Sequence, residues 1–389
     1  MDELDGGRPT PNFPDGNEMS EDDFGVRFPR TLAVIQDGVE RQLHTGCQLY
    51  ISHAGDSLAD CGVGLSSAGQ PMTADTLNIW LSAGKPLTAV AILQQWELGR
   101  LELDDRVGRF IPEFAVGGKE SVTIRHLLTH TGGFRPAETG WPEVSWDDTI
   151  QRICSASLES EWVVGRTAGY HTTTSWFILG EILVRLTGRP YAEVIREGLF
   201  EPVGMLETWA ALTPEQHARY GDRIGRIAAR ERGELQPLDW HTTERCAKPS
   251  PGSNTRGPIR ELGRFYEMLL NLGQANGRRI LSSQAVAALT ARHRVGQMDL
   301  TLAHTVDFGL GVIVDSNLYG AETVPYGYGR YCSPRTFGHG GAQSSQGWCD
   351  PEQGLVVAYY FNGRPGEGQH NRRARQLNEA IYADLNLVD

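Results

Sequence analysis

The sequence predicts an α/β fold, an antiparallel sheet flanked by helices and interrupted by an inserted, mostly helical domain. Three observations carry the prediction. Strand-like segments rich in β-branched and aromatic residues occur near both ends of the chain. Helix-period segments accompany them, and from about residue 119 to 255 the helical pattern dominates. That order, with no internal repeat, points to one sheet built from both chain ends around an insertion. We divide the 389 residues into an acidic flexible arm (1–28), an α/β domain (29–118 plus 256–389) and a helical domain (119–255).

The elements follow in order. Met1 to Phe24 is acidic and rich in Gly and Pro, without the basic and apolar stretches of a secretory signal. Leu32, Ile35, Val39 and Leu43 repeat at helical spacing over Pro29–Thr45. Cys47–His53 and Ser57–Gly64 are strands, with Ala54-Gly55-Asp56 as the hairpin turn. An apolar helix begins at Ser82 and closes near Gly99, and a short one over Val122–Thr131 stops at Gly132-Gly133. The insertion holds six of the nine tryptophans and a helix over Trp176–Leu186. Gly257-Pro258 starts a helix that runs to about Leu272. Strands follow at Gly309–Asp315, Thr336–Gly338, Gln346–Cys349 and Leu355–Phe361, and a helix over Arg372–Leu385 closes the chain.

Net charge −12 argues against nucleic acid and anionic membrane surfaces as partners. No apolar run approaches the roughly 20 residues of a membrane span. The six cysteines show no metal-binding spacing and read as free thiols of a reducing, cytoplasmic compartment. Cys47 and Cys61 are the pair to watch, since they lie on adjacent strands. No metal and no cofactor is expected.

The chemistry begins at lysine. The chain has three lysines against thirty-three arginines, and only Lys85 stands three residues after a serine, Ser82. A guanidinium stays protonated, whereas a buried ammonium can lose its proton and act as a base. On a helix, positions i and i+3 share a face, and the helix start adds free N–H groups for a developing anion. Ser82 and Lys85 therefore suit a nucleophile and its base. Tyr170, before the next apolar helix and beside an ammonium, suits a proton shuttle with a lowered pKa. Phe337-Gly338-His339-Gly340-Gly341-Ala342 is a glycine-rich strand whose backbone could approach a ligand closely.

Found in this order, these motifs resemble the serine β-lactamase and penicillin-binding-protein superfamily, in particular the branch with class C β-lactamases and family VIII carboxylesterases. The likeness runs from about Leu32 to Leu385. Ser82-x-x-Lys85-Pro86 matches the nucleophile motif, and Leu127-Leu128-Thr129-His130-Thr131-Gly132-Gly133 matches a landmark of the branch. Leu179-Gly180-Glu181 through Leu186-Thr187-Gly188 matches the helix after the tyrosine, and His339-Gly340-Gly341 stands where the family has Lys-Thr-Gly.

The resemblance implies a β-lactamase/transpeptidase-like fold and acyl transfer through Ser82. It implies Lys85 and Tyr170 as proton carriers and backbone N–H groups of Ser82 and Ala342 as the oxyanion site. Substrate contacts would come from Thr172, His339, Gly340, Gly341 and Asn254.

The departures shift the expected chemistry. His339 replaces a lysine that sits near the β-lactam carboxylate, and Tyr170-His171-Thr172 lacks the family's Asn. Both favour a carboxylesterase acting on small to medium acyl esters. A transacylase, a weak β-lactamase or D-amino acid peptidase or amidase, and a non-catalytic penicillin-sensing domain are the alternatives. The substrate is a small ester or amide in each enzymatic case. Two motifs are read as decoys. Gly55-Asp56-Ser57-Leu58, an esterase-like signature, is taken as the hairpin turn, and His126 with His130 as structure rather than a zinc pair.

Overall fold

Ser20 opens α1 (Glu21–Arg27), its hydroxyl accepting from the Asp23 N–H at 3.1 Å, with acidic residues in the first turn. Phe24 and Phe28 are fully buried against the sheet. The computed structural model describes residues 18–67 and 69–388, so residues 1–17 of the expected arm lie outside the described residues. From Ser20 onward the flexible arm is corrected to a docked helix: burial of two phenyl rings outweighs the acidic composition that suggested disorder. The next helix, α2 (Pro29–Glu40), stops short of Thr45 because the chain turns at Gln42, at φ +55°, to enter the sheet.

Seven strands, β1 (Gly46–His53), β2 (Asp56–Ser67), β3 (Gln70–Pro71), β4 (Ile313–Val314), β5 (Phe337–Gly340), β6 (Ser345–Asp350) and β7 (Leu355–Phe361), form the main sheet. Their spatial order is β4-β5-β6-β7-β1-β2-β3, with antiparallel pairing throughout. The C-terminal β7 thus pairs with the N-terminal β1, joining the two ends of the chain. Leu49, Ile51, Tyr359 and Phe361 face α1, α2 and α6 (Glu367–Asp384). Tyr50, Val356, Ala358 and Tyr360 face the opposite core with α5 (Ile259–Leu270). A sheet covered on both faces reads as continuous apolar runs, as in Leu355–Phe361.

The expected strand Gly309–Asp315 shrinks to β4, because Gly309 and Gly311 bend the chain into turns. The last helix starts earlier than expected, at Glu367, after Gly366 at φ +97°. Cys47 lies opposite Val63 and Cys61 opposite Leu49, a diagonal relation. That is too wide for the Cβ separation of a disulfide, and all six cysteines are free and buried.

The apolar helix α3 (Lys85–Glu97) is buried almost all round, as a helix without a polar face must be. It packs on α4 (Thr174–Thr187) of the insertion. One apolar core therefore crosses the proposed boundaries at 119 and 255. The block expected to be helical also holds a hairpin, Ala228–Glu231 with Glu234–Pro237, whose first strand runs parallel to Gly363–Arg364.

Candidate active site

Ser82 sits in a tight turn, Leu81–Gly84, that leads directly into α3. Trp80 anchors the turn: its N–H donates to Thr255 O at 2.9 Å and its indole Nε1 to Gly257 O at 3.0 Å. Leu81 stands at φ +51°, a strained value for a branched residue, of a kind that clusters at functional sites. Pro86, in the first helical turn, needs no acceptor for an N–H.

Lys85 is fully buried. Its Nζ stands 2.9 Å from Ser82 Oγ and donates to Thr172 O at 2.7 Å and Gly252 O at 2.8 Å. No carboxylate pairs with it among the described residues. Burial pushes its pKa well below the ordinary lysine value. Gly252 permits this approach, since a Cβ there would lie 2.9 Å from Trp176 and 3.1 Å from Lys85 Nζ. Lys119 offers a contrast. It is also buried, and its three donors cap the carbonyls of Val116, Cys154 and Ala156 at a helix end, with no hydroxyl beside it.

Tyr170 is buried next to Ser82, and burial raises its phenol pKa, partly offset by a hydrogen bond with Ser82. The lowered value expected from the neighbouring ammonium is corrected, because desolvation of the buried phenol dominates. Lys85 Nζ lies 5.2 Å from the ring centroid. Asp299 holds the tyrosine backbone: its Oδ1 accepts from the N–H groups of Tyr170 at 3.0 Å, Thr301 at 2.9 Å and Leu302 at 2.9 Å. His171 is packed away from the cleft, with Nδ1 2.8 Å from Thr174 Oγ1 and Nε2 accepting from Gly133 N–H at 3.3 Å.

The far wall is β5. Its neighbour β4 pairs only with Phe337 and Gly338, so the edge from His339 to Ala342 carries no partner strand among the described residues. His339 Nδ1 lies 2.7 Å from Gly340 O. A carbonyl only accepts, so Nδ1 carries the proton and Nε2 is a bare, buried acceptor without a partner among the described residues. Burial, then the neighbouring Lys85, lowers the His339 pKa to about 3, and the ring is neutral at physiological pH.

A cavity of about 420 Å³ joins these groups, lined by Ser82, Tyr170, Thr172, His339, Gly340 and Ala342. Two expected contacts are corrected. Gly341 faces the Ser82 turn, where a Cβ would run into Trp80 O and Ser345 Oγ. Its smallness lets β5 press on that turn. Asn254 is buried behind the wall and donates from Nδ2 to Arg245 O and Lys248 O, each at 2.9 Å. Ser253 lines the cavity in its place, with Trp141, Trp240 and Arg245. The backbone carbonyls of Thr172 and Gly252 leave no side-chain signature in a sequence; the tryptophan and arginine lining was hidden among the insertion's many aromatic and basic residues.

The decoys resolve as turns and caps. Ser57 is exposed beside the β1–β2 hairpin turn, remote in the sheet from the cavity lining. His126 Nδ1 accepts from Thr123 N–H at 3.1 Å, while His130 lies past the helix end at φ +59° and accepts from His171 N–H at 3.0 Å. No group of three or more metal-ligating side chains gathers among the described residues. No helix there is long and apolar enough to cross a membrane.

Comparison with known proteins places the chain in a family. The chain is 30% identical to penicillin-binding protein 4 of Amycolatopsis lactamdurans over 349 residues, covering 85% of this chain and 80% of the relative. It is 24% identical to the esterase/beta-lactamase LipL of Mycobacterium tuberculosis over 380 residues, covering 90% and 85%. A crystal structure of a family VIII carboxylesterase superposes with a TM-score of 0.75 at 22% identity, covering 95% of this chain and 99% of that one, and so shares the fold. The beta-lactamase family model matches residues 32–381, and the chain belongs to that family of penicillin-binding proteins, β-lactamases and esterases.

Proposed function

We propose that this protein hydrolyses small to medium carboxylic esters through an acyl-enzyme on Ser82. The Lys85 environment carries the reading. With the amine neutral, its two N–H bonds satisfy Thr172 O and Gly252 O, and its lone pair is left for the Ser82 hydroxyl 2.9 Å away. A lysine with no counter-ion among the described residues and a pKa held well below its ordinary value is suited to act as a base.

Ser82 Oγ attacks the ester carbonyl as its proton passes to Lys85 Nζ. The oxyanion is held by the N–H groups of Ser82 and Ala342, the latter without an acceptor among the described residues. Tyr170 enters as a neutral phenol and gives its proton to the leaving alkoxide. The Lys85 ammonium, now charged beside it, returns a proton to the phenolate. Water then attacks the acyl group by the reverse relay, which frees the acid and restores Ser82.

The neutral His339 supports esters over β-lactams, since it offers no positive charge to a carboxylate beside β5. In a direct comparison, kcat/KM for nitrocefin is expected to fall roughly 10- to 100-fold below that for p-nitrophenyl butyrate, the span of one lost charge-assisted hydrogen bond. Equal or faster nitrocefin turnover would make β-lactam hydrolysis the better reading. Mass spectrometry of the products across an alcohol series should show free acid in excess. Saturable ester formation with suppressed acid would instead indicate acyl transfer.

Gly341→Ala tests the contact between β5 and the Ser82 turn. Displacing that strand by about an ångström should cost roughly 10²-fold in kcat/KM. Full activity with an unchanged melting temperature would show that the close approach is dispensable.

A further inference from the structure

The part of the cavity lining formed by Trp141, Trp240 and Arg245 has an electrostatic character that ester hydrolysis does not require. The Arg245 guanidinium lies between two indoles, 4.8 Å from the Trp141 ring centroid and 4.9 Å from that of Trp240. Stacking of this kind occupies the faces of a guanidinium and leaves its N–H edge available. Arg245 forms no side-chain hydrogen bond or ion pair among the described residues, and its Nε is buried without an acceptor. Trp141 Nε1 is a second buried donor without an acceptor, in the same wall. Buried donors are nearly always paired, so two orphans of one kind side by side indicate a missing acceptor.

The surroundings reinforce this. Arg364 stacks on the other partner indole, 5.0 Å from the Trp240 centroid. Arg256, fully buried nearby, donates to Trp240 O and, at 3.4 Å, to Asn254 Oδ1. None of these three arginines pairs with a carboxylate among the described residues, in a chain of net charge −12. The acid that influences Arg245 most, Glu143, is exposed and makes no ion pair with it. The carboxylate that does line the cavity, Glu367, is already occupied by Tyr326 Oη at 2.8 Å and Gln343 Nε2 at 3.2 Å. Asn254 fits the same plan, since its amide fixes the backbone that carries Arg245.

We propose that Arg245 and Trp141 bind a carboxylate on the substrate, so that the ester cleaved at Ser82 is an anionic one. This rests on the hydrolase reading above and names its substrate class. The neighbours of His339 on β5 are Tyr170 and Lys85.

The test compares matched pairs at equal chain length. p-Nitrophenyl hydrogen adipate against p-nitrophenyl hexanoate puts the anion on the acyl side. 4-Butyryloxybenzoate against phenyl butyrate, followed by chromatography, puts it on the alcohol side. At low salt, kcat/KM should favour the anionic member of one pair by at least roughly tenfold, and added salt should erode that preference. In Arg245→Leu the anionic-to-neutral ratio should drop by roughly 10- to 100-fold, with partial recovery in Arg245→Lys. Trp141→Phe keeps the ring, loses the donor, and should lower the ratio severalfold. Neutral esters preferred in both pairs by the wild-type protein overturn the proposal, even if the variants do not fold. So does an Arg245→Leu variant that slows anionic and neutral esters by the same factor, the mark of a purely structural clamp. No turnover of any of the four esters, with no adduct on Ser82, would instead remove the hydrolase reading itself.

Discussion

Ser82→Ala is expected to abolish labelling by a fluorophosphonate and to cut kcat/KM for p-nitrophenyl butyrate by roughly 10⁴-fold or more, the scale of losing a nucleophile. Intact-mass spectrometry of the wild-type protein should show one adduct, and peptide mapping should put it on Ser82. The expectation follows from the turn that presents this hydroxyl to Lys85 at 2.9 Å within the cavity. Ser57, in the decoy motif, has no such partner and sits exposed beside a hairpin turn. An adduct on Ser57, or persistent labelling of Ser82→Ala, would remove the proposed chemistry.

Lys85→Arg should lose roughly 10²-fold or more in kcat/KM, because the charge is kept while the base is lost. The guanidinium also cannot present single donors to Thr172 O and Gly252 O in the same space. The pH profile gives a sharper check. Lys85 must be neutral to act, and burial depresses its pKa well below the ordinary lysine value. Activity should therefore persist above that depressed pKa and decline tenfold per pH unit as pH falls through it. A His339→Gln variant that keeps the same limb would separate it from the buried imidazole, whose pKa burial also lowers. Tyr170→Phe should be severely impaired with its fold retained, judged by an unchanged circular dichroism spectrum. A fully active Lys85→Arg would show that the lysine serves only as a cation.

Much of the architecture was legible because period and punctuation were consistent. The Cys47–His53 strand, the Ala54-Gly55 turn and the Leu355–Phe361 strand all appear close to their expected bounds. The convergence of Ser82, Lys85, Tyr170, His339 and Ala342 followed from a motif order that one fold brings together. What stayed hidden was of three kinds. Backbone carbonyls, such as those of Thr172 and Gly252, carry no side-chain signature. Loop residues change places with their neighbours: Ser253 faces the cavity and Asn254 the interior, a choice set by the hydrogen bonds of Asn254 to Arg245 O and Lys248 O. Proton affinities depend on burial, which a linear sequence does not give, and so Tyr170 moves upward where the nearby ammonium suggested a fall.

The two carbonyls that hold the Lys85 amine lie 87 and 167 residues further along the chain. On the proposed chemistry, a nucleophile primed this way has no local shortcut to reactivity. A nascent chain that has not reached Gly252, or a collapsed one whose insertion has not closed over α3, carries a serine no more reactive than any other. If Ser82 labels as proposed, its labelling during refolding would become a molecular census: the fraction tagged at each moment would count native molecules alone, and its time course could be laid beside the recovery of tryptophan fluorescence to ask whether the core and the base mature together.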